Sequence, residues 1–280
     1  MAPPTSPDTP KKLLVCTDGS ENSRAALAAA LRLAQLGGGQ VYLLRVVQII
    51  PEFEVAAPDL MALVAEEARK ELAATKAEAG KTGVALETRL TRSFSVFGSI
   101  LQEAEEIQPD LILMGRYGYT GLARLLMGSV TARVIGHSPF NVLVIPLNAT
   151  VAFDRIMIAS DGSPCSQAAF QEALALAGRR ESKLLGVSVA TEEGEIPRAE
   201  EIVQQMLAAA NQAGVPFQGV VPQGQPADDG IIQVALRNEV DLIVVGSHGR
   251  TGFKRLLMGS VTERVIGQSP CPVLVVKKGG

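Results

Sequence analysis

Residues 115–139 read GRYGYTGLARLLMGSVTARVIGHSP, and residues 246–270 read GSHGRTGFKRLLMGSVTERVIGQSP. The strings LLMGSVT and RVIG recur letter for letter, a coincidence that chance does not plausibly produce. Earlier in each copy, TDGS from Thr17 matches SDGS from Ser160. The chain therefore carries one structural unit twice, and each half has the whole unit.

The two copies set the domain boundaries. The offset between Thr17 and Ser160 is twelve residues longer than the offset between the later strings, so the first half carries twelve extra residues. We place them within residues 51–62, as a surface excursion or as a lid or partner loop. The opening of the chain is proline-rich and polar, which is typical of disorder. The predicted organisation is a disordered tail at 1–10, a first domain at 11–147 and a second domain at 153–278.

Bulk composition excludes several functional classes. The 280 residues carry a net charge of −3, so the chain has no net basic field to hold nucleic acid or an anionic membrane. No apolar run approaches the roughly 18 residues of a membrane-spanning helix, and the first ten residues lack a secretion signal. The three cysteines lack the paired spacing of zinc or disulfide sites. We expect a cytoplasmic protein without a nucleic-acid or membrane partner.

The fold class follows from the order of apolar runs. Short β-branched runs alternate with alanine-rich stretches, which predicts βαβ units and a parallel sheet covered on both faces. The predicted fold is α/β, with two tandem doubly wound parallel-sheet domains that are Rossmann-like and have strand order 3-2-1-4-5. The strands are predicted at 12–17, 40–48, 84–91, 110–114 and 141–145, and again at 155–160, 183–189, 217–221, 241–245 and 272–276. The helices of the first half are predicted at about 21–36, 59–79, 97–107 and 129–137.

The strand ends mark a ligand site in each half. In a doubly wound sheet, ligands bind beyond the carboxyl ends of the strands where the strand order reverses, which is between the first and fourth strands. Asp18 and Asp161 follow the first strands, and Gly115 and Gly246 follow the fourth. Each aspartate can hold a metal ion or polar ligand groups, or it can cap the first helix, and the sequence leaves both interpretations open.

A glycine-rich loop follows the fourth strand with the spacing G-x2-G-x9-G-S in both halves. Glycines let the main chain approach a phosphate closely, and the N–H groups at the start of the next helix favour negative charge. The helices and third strands have diverged between the halves while this loop has not, which indicates a constraint from a ligand or from packing. We therefore expect this loop to bind a phosphate group.

At these residues the chain resembles the universal stress protein family in its tandem form, in which this motif marks ATP-binding members. The resemblance implies ATP, with or without Mg²⁺, across the ends of the first and fourth strands. In the first half it implies Asp18, Val46 and Met114 at the adenine and ribose, Gly115 at the ribose, and Gly118, Gly128, Ser129, Val130 and Thr131 at the phosphates. In the second half the implied set is Asp161, Val187, Val245, Gly246, Gly249, Gly259, Ser260, Val261 and Thr262.

The resemblance also implies that the halves pair through their last strands, FNVLVI and PVLVV, into an internal pseudo-dimer. These apolar runs are themselves edge-strand candidates. A further homodimer of the full chain is an open alternative.

The two halves differ around the predicted site. Ser93-Phe94-Ser95 stands where the second half has the pattern Gly224-Gln225-Pro226 that is common in the family, which predicts a different pocket rim. We also expect the second half to bind triphosphate more tightly, because its loop region is richer in cationic side chains. The second loop and the turn after it have His248, Arg250, Lys254 and Arg255 against Tyr117, Tyr119, Ala123 and Arg124, while Arg116 is an extra charge of the first.

Three functions fit the sequence. An ATP-binding regulatory or stress-response module, with at most slow hydrolysis or autophosphorylation, leads on the motif. A nucleotide-free scaffold, or one that binds AMP, cyclic AMP or a lipid-like ligand, is the second, and an ATP-using enzyme is the third. No catalytic residues are predicted, since the chain has no Walker sequence, Ser-His-Asp arrangement or H-E-x-x-H motif.

Overall fold

The computed structural model describes residues 10–118, 127–249 and 258–277. The predicted tail, apart from residue 10, and the end of the second domain lie outside this part of the chain. So do the loop side chains Tyr119, Ala123, Arg124, Arg250, Lys254 and Arg255.

The first half alternates strands and helices as the sequence predicts. Its elements are β1 (Lys12–Thr17), α1 (Glu21–Gly37), β2 (Gln40–Gln48), α2 (Pro51–Ala56), α3 (Pro58–Gly80), β3 (Ala85–Ser93), α4 (Val96–Ile107), β4 (Leu111–Gly115), α5 (Ser129–His137) and β5 (Val142–Ile145). The second half repeats this order with β6 (Arg155–Ala159), α6 (Pro164–Arg180), β7 (Lys183–Val187), α7 (Ile196–Gln212), β8 (Phe217–Val220), α8 (Ala227–Arg237), β9 (Leu242–Gly246), α9 (Ser260–Gln268) and β10 (Val273–Val276).

The ten described strands form one sheet in the order β3-β2-β1-β4-β5-β10-β9-β6-β7-β8. Each half therefore has the order 3-2-1-4-5, which confirms the predicted doubly wound α/β fold. Within each half the neighbouring strands are parallel, whereas β5 and β10 pair antiparallel in the middle of the sheet. This single antiparallel junction relates the two halves by an approximate two-fold rotation.

Helices cover both faces of the sheet, and adjacent strand residues point to opposite faces. Leu13 belongs to the core cluster that includes residues of α1 and α3, while Leu14 belongs to the cluster that includes residues of α4 and α5, and both side chains are fully buried. On each face the buried side chains of the two halves form one continuous cluster across the β5–β10 junction. Because helices cover both faces, the loops at the carboxyl ends of the strands are where a ligand site can form.

The extra residues of the first half lie between β2 and β3, around the predicted segment. They lengthen β2 beyond the equivalent end of β7, add the short helix α2 and extend α3 to 23 residues against 17 in α7. Their difference from the second half therefore spreads beyond residues 51–62. Phe53 and Val55 of α2 are exposed, so this segment projects from the surface.

Candidate functional site

One pocket opens at the carboxyl ends of β1 and β4, and a second opens at those of β6 and β9. We call them the first pocket, with a volume of about 230 Å³, and the second pocket, with about 310 Å³. Eight of the nine residues predicted in the first half line the first pocket, namely Asp18, Met114, Gly115, Gly118, Gly128, Ser129, Val130 and Thr131. All nine predicted in the second half line the second pocket, namely Asp161, Val187, Val245, Gly246, Gly249, Gly259, Ser260, Val261 and Thr262.

Val46 is the exception: no described residue of β2 lines the first pocket, whereas Val187 of β7 lines the second. Cys16 of β1 pairs with Leu44, and the equivalent Ala159 of β6 pairs with Val187. The structural counterpart of Val187 is therefore Leu44, and that of Val46 is Val189, which lines the second pocket together with Val187. Val46 packs against the core instead of lining the first pocket.

The aspartate after each first strand orients the start of the next helix. Ser20 caps α1, because its Oγ accepts a hydrogen bond from the Ser23 N–H at 3.2 Å. Oδ1 of Asp18 accepts a hydrogen bond from the Ser20 N–H at 3.0 Å. The interpretation of the aspartate as the helix cap is therefore wrong, since a serine caps the helix and the carboxylate holds that serine. The second half repeats both hydrogen bonds with Asp161, Ser163 and Ser166.

The other oxygen of this carboxylate faces the glycine-rich loop. A Cβ atom on Gly118 would lie only 2.6 Å from Oδ2 of Asp18, and one on Gly249 would lie 2.8 Å from Oδ2 of Asp161. These distances are shorter than real Cβ contacts, so glycine is what lets the aspartate and the loop close on each other. The first and fourth strand ends thus form one wall of each pocket.

Gly115 and Gly246 have a packing role. A Cβ atom on Gly115 would lie 2.7 Å from the backbone carbon of Asn22, and one on Gly246 would lie 2.7 Å from that of Cys165. Both contacts are with the first turn of the helix that covers the strand end. The absence of a side chain at these positions is therefore required by α1 and α6, whatever the pocket holds.

Gly128 and Gly259 show the opposite behaviour. A Cβ atom on either would find no atom of the described protein closer than 3.5 Å, and their φ values of −65° and −63° suit any residue. Neither packing nor backbone conformation requires glycine here. Each residue precedes a nine-residue helix as a cap without a capping side chain, so the first-turn N–H groups stay available at the pocket wall.

The threonines that follow use their hydroxyls within the protein. Oγ1 of Thr131 donates a hydrogen bond to the Gly115 carbonyl at 3.1 Å, and Oγ1 of Thr262 donates to the Gly246 carbonyl at 2.9 Å. Both residues are buried. These bonds fix α5 and α9 against their strand ends, so the helix starts offer a ligand main-chain groups and the hydroxyls of Ser129 and Ser260 rather than the threonine hydroxyls.

The side chain of Arg116 points away from the first pocket, whereas the sequence predicted that it adds positive charge there. Its guanidinium donates hydrogen bonds to the carbonyl of Gly267 at 3.1 Å and to that of Ser269, both at the end of α9 in the second half. Burial lowers the pKa of Arg116. The physical reason for the correction is the β5–β10 junction, which brings the other half within reach of this side chain.

Several lining residues were missed by sequence reasoning. Val96 narrows the first pocket where the second has Ala227, and Tyr117 stands where the second has His248. Residues 93–95 and 224–226, whose difference predicts a different rim, lead into α4 and α8, but none of them lines either pocket. Val96 could have been found as the first residue of an amphipathic helix after the third strand.

The second pocket also has an acidic wall that the sequence did not suggest. A carboxylate oxygen of Glu195 accepts hydrogen bonds from the Thr191 N–H at 3.0 Å and from its hydroxyl at 2.6 Å, and both residues line the pocket. The acidic stretch TEEGE after β7 was the available signal.

In the part of the chain that the structure describes, potential metal ligands are dispersed, Cys16 and Cys271 are buried, and Cys165 is partly exposed. There, no group of three or more histidine, cysteine, aspartate or glutamate side chains is placed to hold a metal ion. Burial raises the pKa of the Cys16 thiol to about 12 and that of Cys271 to about 11. Both thiols are therefore poor nucleophiles near neutral pH.

The sequence model of the universal stress protein family matches residues 9–146 and 152–277, one match for each half. The chain belongs to the universal stress protein family. It is a tandem member, since both matches lie in one chain. No described helix of this universal stress protein is long and apolar enough to cross a membrane.

Known relatives match either the whole chain or one half of it. A universal stress protein of Mycolicibacterium smegmatis is 28% identical over 291 residues, covering 95% of this chain and 96% of the relative. One from Methanocaldococcus jannaschii is 33% identical over 152 residues, which is 47% of this chain. The crystal structure of a universal stress protein from Archaeoglobus fulgidus covers 96% of this chain and 99% of its own, with a TM-score of 0.75 and 23% identity. That likeness confirms the fold.

Proposed function

We propose that this universal stress protein binds ATP, with Mg²⁺, in both pockets and acts as a regulatory module of the stress response. Binding would change the stability or the partner surface of the chain, and hydrolysis or autophosphorylation would be slow at most. The pairing of β5 with β10 supports treating the two halves as an internal pseudo-dimer.

Gly128 and Gly259 carry the proposal. Among the described residues nothing requires glycine at either position, yet both halves have it in front of a helix start that no described side chain caps. A phosphate that approaches the main chain closely supplies the missing reason, and the start of a helix favours its negative charge. The adjoining cavities extend to the apolar side chains of Met114 and Val245, against which the flat ring of the adenine base would pack.

The second pocket should bind ATP more tightly. It is larger by about a third and has Ala227 and His248 in place of Val96 and Tyr117. The departure of Arg116 from the first pocket removes a cation that would otherwise favour that side. Calorimetry on the full chain should therefore resolve a tighter and a weaker site, and equal sites would contradict this assignment.

Thermal unfolding with added nucleotide tests the function directly. A ligand at a hundredfold excess over its dissociation constant stabilises the folded state by about 2.7 kcal/mol, a shift that is easily measured. Mg-ATP should raise the melting temperature, and mass spectrometry of the purified chain should detect co-purified nucleotide. A response to AMP or cyclic AMP alone would favour the scaffold alternative. Multiple turnovers that Asp161→Ala abolishes would favour an enzyme.

A further inference from the structure

Helices α5 and α9 each begin at a pocket and end against a cation from the other half. At the end of α9, the guanidinium of Arg116 donates hydrogen bonds to the carbonyls of Gly267 and Ser269. At the end of α5, the ammonium of Lys277 donates to the carbonyl of Ile135. Cations at a helix C-terminus satisfy its last carbonyls and complement its dipole.

Sequence duplication does not account for this arrangement. Arg116 follows β4, and its counterpart in the second half is Ser247; Lys277 follows β10, and its counterpart in the first half is Pro146. The two halves therefore reach the same contact with different residues from different strands. Burial lowers the pKa of both cations, so each is drawn partly out of water to make its contact.

The main chain of Arg116 is built into the first pocket. Its N–H donates a hydrogen bond to the carbonyl of Ile145 at 3.1 Å, and its carbonyl accepts one from the Gly128 N–H at 2.9 Å. Both of its sequence neighbours, Gly115 and Tyr117, line that pocket. A ligand that orders the main chain lining the first pocket therefore also restricts Arg116, whose side chain contacts the end of α9.

Helix α9, which Arg116 contacts at its end, begins at the second pocket. Helix α9 is only nine residues long, and its first three residues line the second pocket. Thr262 ties this end to the Gly246 carbonyl at 2.9 Å. A rigid two-and-a-half-turn helix transmits a displacement of one end to the other, so Arg116 influences where the first-turn N–H groups lie.

We propose that Arg116 is a positioning residue that couples the two pockets, so that ligand in the first pocket raises the affinity of the second. The first ligand orders residues 115–118 and thereby pays the conformational entropy cost of that ordering. The second ligand then binds without this cost, so the coupling is positive. This proposal rests on ATP as the ligand. By linkage, ligand in the second pocket raises the affinity of the first by the same factor, and Lys277 makes the corresponding contact at the end of α5.

The two histidines of the chain give a site-resolved readout. His248 lines the second pocket, whereas His137 lies at the end of α5, so the ring NMR signal of His248 reports the second site alone. Mg-ATP would be titrated into the full chain and into Gly128→Ser, Arg116→Gln and the double variant. Gly128→Ser obstructs the first pocket. We expect it to weaken binding at His248 by up to about fivefold when Arg116 is present, the lower end of typical couplings, and to have no effect beside Arg116→Gln. The full factor appears where Mg-ATP also fills the weaker first pocket of the parent chain.

An equal effect of Gly128→Ser with and without Arg116, or no effect in either, would overturn the coupling. Absence of any His248 response in every chain would instead refute ATP binding and the coupling of ligands with it. Amide hydrogen exchange of the ligand-free chain then decides the positioning role separately. Exchange from Glu263 to Ser269 should accelerate in Arg116→Gln but not in Arg237→Gln, a matched arginine that ends its own helix α8. Unchanged exchange in Arg116→Gln would refute that role.

Discussion

The carboxylate of Asp18 lies against Gly118, so closely that a Cβ atom on the glycine would be 2.6 Å from Oδ2. The contact joins the first strand to the glycine-rich loop and recurs in the second half at 2.8 Å between Asp161 and Gly249. It also separates the glycines of the loop by role. Gly118 accommodates an aspartate, Gly115 accommodates a helix, and Gly128 accommodates nothing in the described protein.

Substitution of Gly118 should depend on Asp18. Gly118→Ala should cost about 1 to 3 kcal/mol of unfolding free energy, as overpacking does, because the new methyl group displaces the carboxylate that holds Ser20. In an Asp18→Ala background the same change should cost much less, because the obstructing oxygen is gone. Urea denaturation of the four chains measures the interaction. Additive costs would show that the two residues do not share this contact.

Gly115 and Gly128 should respond in opposite ways to the same change. Gly115→Ala places a methyl group against the backbone of α1 and should destabilise the fold by about 1 to 3 kcal/mol. Gly128→Ala has room for its methyl group and should lose no more than about 1 kcal/mol, since alanine is a poorer helix cap than glycine. Urea midpoints compare the two variants directly, and a larger loss for Gly128→Ala would contradict the assigned roles.

Buried thiols should make the fold sensitive to alkali. Burial raises the pKa of Cys16 from 9.0 to about 12 and that of Cys271 to about 11. Between pH 9 and these values the unfolded chain loses thiol protons that the folded chain keeps, so stability falls as pH rises. At pH 10 each thiol should remove about 1.4 kcal/mol from the free energy of unfolding relative to pH 8.

The matched control is Cys16→Ala with Cys271→Ala, compared with the parent chain by urea denaturation at pH 8 and pH 10. The double variant should lose less stability over this interval than the parent. If both chains show the same pH dependence, the two thiols are not protected by burial.

Much of the fold was predictable because its strands are buried on both faces. Strands β1 and β2 begin and end where the sequence places them, since continuous apolar runs are bounded by charged or polar residues. Strand β3 ends two residues later than predicted, because Ser93 pairs with Gln48 at the far end of β2. That extension is a tertiary effect, which the local pattern of β3 does not contain.

The site was predictable in position more than in detail. Glycine spacing identified the loop, but the separate roles of Gly115 and Gly128 depend on how close α1 comes to the strand end. The direction of Arg116 depends on the antiparallel junction between halves, which is a long-range contact. The first pocket lacks a residue of β2, whereas Val187 and Val189 line the second, and this difference in pocket shape is not contained in the local sequence of either strand.

The most direct test of the account replaces both unexplained glycines by serine, in Gly128→Ser with Gly259→Ser. Serine suits the extended backbone before α5 and α9, and its Oγ would accept bonds from the first-turn N–H groups that a phosphate would otherwise use. The ligand-free chain should gain a few tenths of a kcal/mol per helix, while calorimetry should show Mg-ATP binding lost. If the double variant bound Mg-ATP as tightly as the parent chain, the first turns of α5 and α9 would not be the phosphate-binding sites.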